Sequence, residues 1–132
     1  MAKQNDNPRR YRETNDPDRV AALAERVAAL KPVAIYASPL ERTRETAAPI
    51  ASATKKKVVA HKGLLECDFG DWTGFRWDQI QEKFGIAAYD WLDVLENGGI
   101  PNGDTADALR QRVRPCVQAI LDDNAHRTVA VV

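Results

Sequence analysis

The chain has 132 residues, of which 44% are hydrophobic and 29% are charged, a composition typical of one small globular domain and unlike that of disordered or fibrous proteins. Lysine plus arginine and aspartate plus glutamate number 19 each, so no net field attracts nucleic acid or a membrane surface. No apolar run approaches the ~20 residues that span a bilayer, and the first residues are polar. We therefore expect a cytoplasmic protein with neither a nucleic-acid nor a membrane partner.

The N-terminal part of the sequence predicts an arm, a helix and a strand. Residues 1–15 are polar and aperiodic, which is typical of a flexible N-terminal arm. Asp16 followed by Pro17 predicts a helix start, with the aspartate as N-cap. The helix should end at Lys31-Pro32, and the apolar run Val33–Ala37 predicts a buried strand. The apolar face of this helix comprises Val20, Leu23, Ala24, Val27 and Leu30.

A second helix and a second strand are predicted next. Ser38 is expected to be the N-cap of this helix, with Pro39 in its first turn and Glu41 completing a capping box. Pro49 should bend or end the helix, because a proline inside a helix removes a hydrogen bond and clashes with the preceding turn. Lys57–Ala60 predicts a further strand.

The second half of the sequence predicts a loop, three helices and a final strand, in that order. The final strand is apolar and β-branched, which is typical of a central strand covered on both faces. Strands that alternate with helices predict a mostly parallel α/β sheet. The predicted ranges are Leu64–Gly74 for the loop, Arg76–Phe84 (stopped by Gly85), Ile86–Leu95 and Thr105–Asp122 (kinked at Pro115) for the helices, and Thr128–Val132 for the strand.

Two cysteines, Cys67 and Cys116, lie far apart and form no Cys-x-x-Cys pair. A single disulfide and a reduced pair both fit this spacing, and reduced thiols in an intracellular chain are favoured. We expect neither a metal ion nor a cofactor.

The first motif with chemical content is the predicted helix start from Ser38 to Thr46. The N-terminus of a helix presents free backbone N–H groups and a partial positive charge. Arg42 in this first turn opposes the dipole, which is favourable where both must hold an anion. The alternative is that Arg42 and Arg44 are surface charges that pair with neighbouring glutamates of the same helix.

The second motif is the loop from Leu65 to Gly74, which contains a carboxylate, aromatic rings and two glycines. Glu66 lies beside Leu64 and Phe69, and apolar surroundings would suit a general acid. The alternative is an ordinary turn with a solvated glutamate. A third segment, Pro101–Thr105, is explained fully by a loop that ends at a helix N-cap.

Together, in this order, the three segments resemble the histidine phosphatase superfamily, which includes the cofactor-dependent phosphoglycerate mutases. The segment Ser38–Thr46 matches the family pattern S-x-L-x-R-[AT]-x-x-T, and Leu65–Gly74 matches L-x-E-x-x-F/Y-G-x-W/L-x-G. Asn102–Thr105 stands where the family has a G-G/N-G-E-S loop, and Val129–Val132 matches the strand before its second catalytic histidine. The resemblance begins at about Asp16 and implies a three-layer α/β/α fold with a mostly parallel, phosphoglycerate mutase-like sheet.

The resemblance also implies a mechanism. In the family, a histidine of an R-H-G motif becomes phosphorylated, and a second histidine in a late H-G motif binds the phosphoryl group. Arginines neutralise the phosphoryl oxygens, and an acidic residue protonates the leaving group. By position, Arg42 corresponds to a phosphate-binding arginine and Glu66 to the proton donor, and Ser38 is expected at the phosphate-binding helix start. The implied ligand is a phosphorylated small molecule.

The sequence departs from the family at both catalytic histidines. It contains no R-H-G motif, and its histidines are His61 and His126, both expected to be exposed. The segment Arg10–Thr14 echoes R-H-G-E-T with tyrosine in place of the nucleophile, and we interpret it as a coincidence. The late H-G motif would begin just beyond Val132.

These departures predict a partial domain over 16–132, with the first strand and the elements after residue 132 missing. The predicted function is that of a truncated or degenerate family member, ancestrally a phosphomonoesterase or phosphoryl transferase, that is inactive as this chain. The loop Trp72–Trp77 and the short insert before Pro101 favour a small bacterial phosphatase over a mutase. The alternative is a non-catalytic α/β module that binds a phosphate ligand or a protein. An incomplete sheet edge also predicts self-association.

Overall fold

The structure, a computed structural model, describes residues 16–132, so the predicted N-terminal arm over 1–15 and the Arg10–Thr14 segment lie outside the described residues. Two compact units make up the described chain. We call residues 16–66 with 113–132 the sheet unit, and residues 67–112 the aromatic unit.

The sheet unit contains three parallel strands, β1 (Ala34–Ala37), β2 (Val58–Ala60) and β3 (Val129–Val131), in the order β2-β1-β3. Ile35 of β1 is opposite Val58 on one side and Ala130 on the other. The predicted parallel α/β sheet is therefore confirmed. The last strand was expected to be central, but β3 lies at an edge of the described sheet, because an apolar run alone does not tell which strands flank it.

Two helices belong entirely to the sheet unit. Helix α1 (Pro17–Ala29) begins as predicted, with the Asp16 carboxylate accepting the Asp18 N–H at 2.9 Å. It packs against helix α2 (Glu41–Thr54), which in turn contacts β1 and β2. The centre of this packing is formed by Ala24, Ile35 and Ile50. The predicted apolar face of α1 is narrower than expected, since Leu23 and Leu30 are exposed.

The start of α2 differs from the prediction. Leu40, and not Ser38, is the N-cap, and no side chain caps the helix. Ser38 cannot take that role because its N–H continues the sheet by donating to the Val132 carbonyl at 3.0 Å. The helix also continues past Pro49 to Thr54, so the proline does not end it.

The aromatic unit contains two complete helices, α3 (Trp77–Phe84) and α4 (Trp91–Glu96). Gly85 ends α3 with a φ of 71°, as predicted. Helix α4 is shorter than the predicted Ile86–Leu95, because residues 86–90 are not helical. Helix α5 (Ala106–Asp123) begins in the aromatic unit and ends in the sheet unit. Two short 3₁₀ helices, Lys62–Leu64 in the sheet unit and Gly70–Trp72 in the aromatic unit, complete the elements.

Aromatic rings dominate the core of the aromatic unit. Trp72 is only 2% exposed, and its ring centroid lies 6.3 Å from that of Trp77. Phe69 contacts Trp77 and Trp91 at centroid distances of 6.4 and 5.5 Å. Such edge and tilted contacts are the favoured arrangements of aromatic pairs. The other buried residues of this core are Ile80, Leu95, Ile100 and Ala106.

Two loops of the aromatic unit are locked together around Asp104. The Asp68 N–H donates to Asp104 Oδ2 at 2.9 Å, and the Asp104 N–H donates to the Asp68 carbonyl at 2.8 Å. Arg112 donates to the same carboxylate oxygen at 3.1 Å. The loops approach so closely that a Cβ on Gly103 would lie 2.4 Å from the Asp68 carbonyl oxygen. Glycine is therefore required at this crossing.

The predicted helix N-cap after this loop is also present. Thr105 Oγ1 accepts the Ala108 N–H at 3.1 Å, three residues into α5, as an N-cap side chain does. The interpretation of Pro101–Thr105 as a loop that ends at an N-cap is confirmed.

Candidate phosphate site

Ser38 lies directly after β1, at the carboxyl end of the central strand of the described sheet. Its side chain is only 3% exposed, and its Oγ accepts the Leu40 N–H at 3.4 Å. The Ser38 carbonyl accepts the Thr43 hydroxyl at 2.8 Å. These bonds fold the chain from β1 into the first turn of α2. In open α/β sheets, ligands bind at this end of the strands.

Arg42 is the second residue of α2, so its guanidinium stands beside the free N–H groups of the first helical turn. Its Nη2 lies 2.5 Å from Oε2 of Glu66, 24 residues away in the sequence. The side chains are 35% and 55% exposed, respectively. The structure thus brings together the two residues that the family resemblance selects, and both belong to the sheet unit.

The surroundings of Glu66 differ from the expectation. The sequence predicted a carboxyl group among apolar side chains, as a general acid needs. Instead, the Glu66 side chain is more than half exposed and contacts the Arg42 guanidinium. The adjacent leucines were expected to cover it, but one apolar neighbour in sequence does not bury a side chain that extends towards water.

His61 is the histidine that the sequence placed least well. It directly follows β2, its N–H donates to the Ala37 carbonyl at 2.9 Å, and it is half-buried instead of exposed. Its Nδ1 accepts the Gly63 N–H at 3.0 Å, so the neutral ring carries its proton on Nε2. The position directly after a strand was the available signal, and the sequence analysis did not use it. His126, which follows α5, is exposed as expected.

The described residues with shifted pKa values lie away from Arg42 and Glu66 in sequence. A hydrogen bond from Arg76 lowers the pKa of the exposed Asp78 carboxyl group. Burial raises the pKa of the Cys116 thiol, which makes it a poor nucleophile at neutral pH. Neither Cys116 nor Cys67 forms a disulfide.

Over residues 16–132, no group of three or more His, Cys, Asp or Glu side chains is placed to hold a metal ion. In the same range, no helix has the length and apolar character to cross a membrane.

A surface cleft of about 330 Å³ lies in the sheet unit, between the C-terminal ends of α1 and α2. Val33, which precedes β1, lines it, whereas Ser38 follows β1. The cleft is therefore at the amino end of this strand and is separate from the candidate phosphate site. Its other lining residues are Ala28, Lys31, Pro32, Ala53, Thr54 and Lys56.

Comparison with known proteins gives a family match over nearly all described residues. The model of the histidine phosphatase superfamily (branch 1) matches residues 17–132. Phosphoserine phosphatase 1 of Hydrogenobacter thermophilus is 29% identical over 98 residues, which cover 74% of this chain and 46% of that protein. A protein of Erwinia tasmaniensis named probable phosphoglycerate mutase GpmB is 32% identical over 99 residues, covering 75% of this chain and 46% of its own length.

Solved structures give the same result. A mycobacterial glucosyl-3-phosphoglycerate phosphatase in complex with inorganic phosphate is 26% identical, with a TM-score of 0.75. The match covers 86% of this chain and 58% of the other. The chain thus spans about half the length of the curated relatives it matches.

Proposed function

Because this chain belongs to the histidine phosphatase superfamily, we propose that it binds phosphorylated small molecules at Ser38 and Arg42 and that, as this chain alone, it does not turn them over. The observation that carries the proposal is the contact between Arg42 and Glu66, since it unites the residues of two separate family motifs at one point. By resemblance, Glu66 is the proton donor of this site.

Phosphate binding is supported by the local charge. A guanidinium and the first turn of a helix both attract anions, and charge-assisted hydrogen bonds to phosphate oxygens are among the stronger ones in proteins. Arg42 supplies the guanidinium, and α2 supplies the helix start. A related structure contains inorganic phosphate, which agrees with an oxyanion site in this fold.

The absence of turnover is proposed from the two histidines of the chain. Covalent phosphoryl transfer needs a nucleophilic nitrogen with a free lone pair in line with phosphorus. The Nδ1 lone pair of His61 accepts the Gly63 N–H. His126 is exposed in the turn before β3, and neither histidine stands in an R-H-G motif. Phosphorus would therefore lack an attacking group.

The Arg42→Ala variant tests the binding site. We expect inorganic phosphate to bind about 10-fold or more weakly to R42A than to the wild type, because a charge-assisted hydrogen bond is lost. Isothermal titration calorimetry measures the affinity. Arg76→Ala is the matched control, since it removes an arginine from an exposed ion pair. In parallel, hydrolysis of p-nitrophenyl phosphate should remain at background in every variant.

Equal phosphate affinities for the wild type and R42A would contradict the proposed site. Hydrolysis well above background by the purified chain would contradict the absence of turnover, and its survival in Glu66→Ala would also contradict the proton-donor assignment.

We also propose that copies of the chain associate through the outer edge of β3. Within residues 16–132, β2 and β3 are the edge strands of the sheet. Lys55, Lys56 and Lys57 precede β2, and edge lysines oppose strand pairing, whereas no charged residue lies between Thr128 and Val132. Zero net charge adds no repulsion between copies. Of the two edges, that of β3 is therefore the better one for pairing.

Two lysine substitutions at similarly exposed valines test this association. Val131 of β3 is 53% exposed and Val59 of β2 is 48% exposed. We expect light scattering to detect concentration-dependent dimers of the wild type and of Val59→Lys, and only monomers of Val131→Lys, because a charge on the β3 edge opposes pairing. A wild type that stays monomeric at all concentrations would contradict the proposal.

Two further features complete the proposed function. The free thiols Cys67 and Cys116 fit a reducing compartment, which supports a cytoplasmic location. The loop Trp72–Trp77 and the short insert before Pro101 favour a phosphatase ancestry over a mutase ancestry.

A further inference from the structure

The Arg42 guanidinium already holds an anion, because the Glu66 carboxylate contacts it at 2.5 Å. A phosphate ligand that uses Arg42 must displace this carboxylate or lie beside it. In both cases the negative charge of Glu66 opposes the ligand, since like charges a few ångströms apart repel even in water.

We propose that Glu66 acts as a tethered anion that sets the ligand charge accepted at Arg42, so that doubly charged phosphate groups bind and singly charged ones do not. This inference rests on the proposed phosphate site. It gives Glu66 a function in ligand selection that differs from proton donation, because it requires the ionised carboxylate and takes effect before any chemical step.

The selection follows from tethering and charge. A side chain attached to the same fold competes at a high effective concentration, on the order of millimolar. A singly charged ligand offers Arg42 no more charge than Glu66 already supplies, so it gains little by replacing it. A phosphate dianion carries twice the charge and also attracts the N–H groups of the first turn of α2.

The exposure of the pair makes displacement feasible. The Arg42 and Glu66 side chains are 35% and 55% exposed, and exposed ion pairs are weak because water screens them. A dianion can therefore separate them. Phosphate monoesters are mostly dianions above a pH of about 6, whereas phosphodiesters carry a single charge. The ligand class that the site accepts is thus the phosphomonoester.

Calorimetric titration of the full chain with two probes tests this assignment. Inorganic phosphate is the doubly charged probe and dimethyl phosphate the singly charged one, at constant ionic strength and about pH 8, where phosphate is a dianion. We expect Glu66→Gln to bind inorganic phosphate about 3- to 10-fold more tightly than the wild type. Dimethyl phosphate should bind measurably to Glu66→Gln and not to the wild type.

Asp78→Asn is the matched control, because it removes the same charge from the carboxylate partner of an exposed arginine. It should change neither affinity, which separates a local effect from the change in net charge. Glu66→Asp keeps a carboxylate, so we expect it to retain the discrimination against dimethyl phosphate.

Unchanged or weaker phosphate binding by Glu66→Gln, with normal binding by the wild type, would overturn the inference and leave the phosphate site intact. Phosphate binding that is absent from the wild type or independent of Arg42 would overturn the proposed function itself, and the inference with it.

Discussion

Trp72→Ala is expected to lower the free energy of unfolding by about 3–5 kcal/mol, the usual cost of removing a large buried aromatic side chain. Trp72 is 2% exposed and contacts Trp77 and Phe84 in the core of the aromatic unit. Its loss leaves a cavity that neighbouring rings cannot fill without leaving their own contacts. Urea unfolding followed by circular dichroism measures the change.

Two further variants make this prediction specific. The Trp72 indole N–H makes no hydrogen bond to any residue in the described part of the chain, so Trp72→Phe removes a buried donor with no bond to lose and should cost much less than Trp72→Ala. Tyr89 is 94% exposed, and Tyr89→Ala should change stability by less than about 0.5 kcal/mol. Equal losses for Trp72→Ala and Tyr89→Ala would contradict the assigned core.

Asp104→Ala is expected to lower the free energy of unfolding by about 2–4 kcal/mol, because it breaks a partly buried ion pair and removes a backbone acceptor. The Asp104 and Arg112 side chains are 13% and 28% exposed, and the Asp68 N–H donates to the same carboxylate. The two loops that meet at Gly103 would lose their polar connection. The same urea titration measures the loss.

Asp104→Asn separates the two contributions, since the amide oxygen can still accept the Asp68 N–H while the charge is removed. Its expected effect lies between those of the wild type and Asp104→Ala. Asp107→Ala, at an 85% exposed carboxylate that also pairs with an arginine, should be nearly neutral. A loss below about 1 kcal/mol for Asp104→Ala would show that the loops do not depend on this carboxylate.

Local signals in the sequence predicted local structure well. Asp16 and Pro17 fix the start of α1 through a side-chain hydrogen bond that needs no tertiary contact. Gly85 ends α3 because a positive φ suits glycine. Ser38 had the same kind of signal and failed, because its N–H pairs with Val132, a partner almost a hundred residues away that a local pattern cannot reveal.

The candidate site was predictable in its members but not in its environment. The pairing of Arg42 with Glu66 joins residues far apart in sequence, and only the resemblance between whole motifs selected both. The exposure of Glu66 and the half-buried position of His61 depend on how loops pack after strands end, which neither periodicity nor motif spacing encodes. The edge position of β3 in the described sheet was missed for the same reason.

The placement of the indole rings has a practical consequence. The chain contains three tryptophans, Trp72, Trp77 and Trp91, and all three belong to the aromatic unit. Intrinsic fluorescence excited at the indole band therefore reports on residues 67–112 alone, while the parallel strands and α1 are silent. Emission can thus follow the opening of one half of the molecule as a separate event, without any added label.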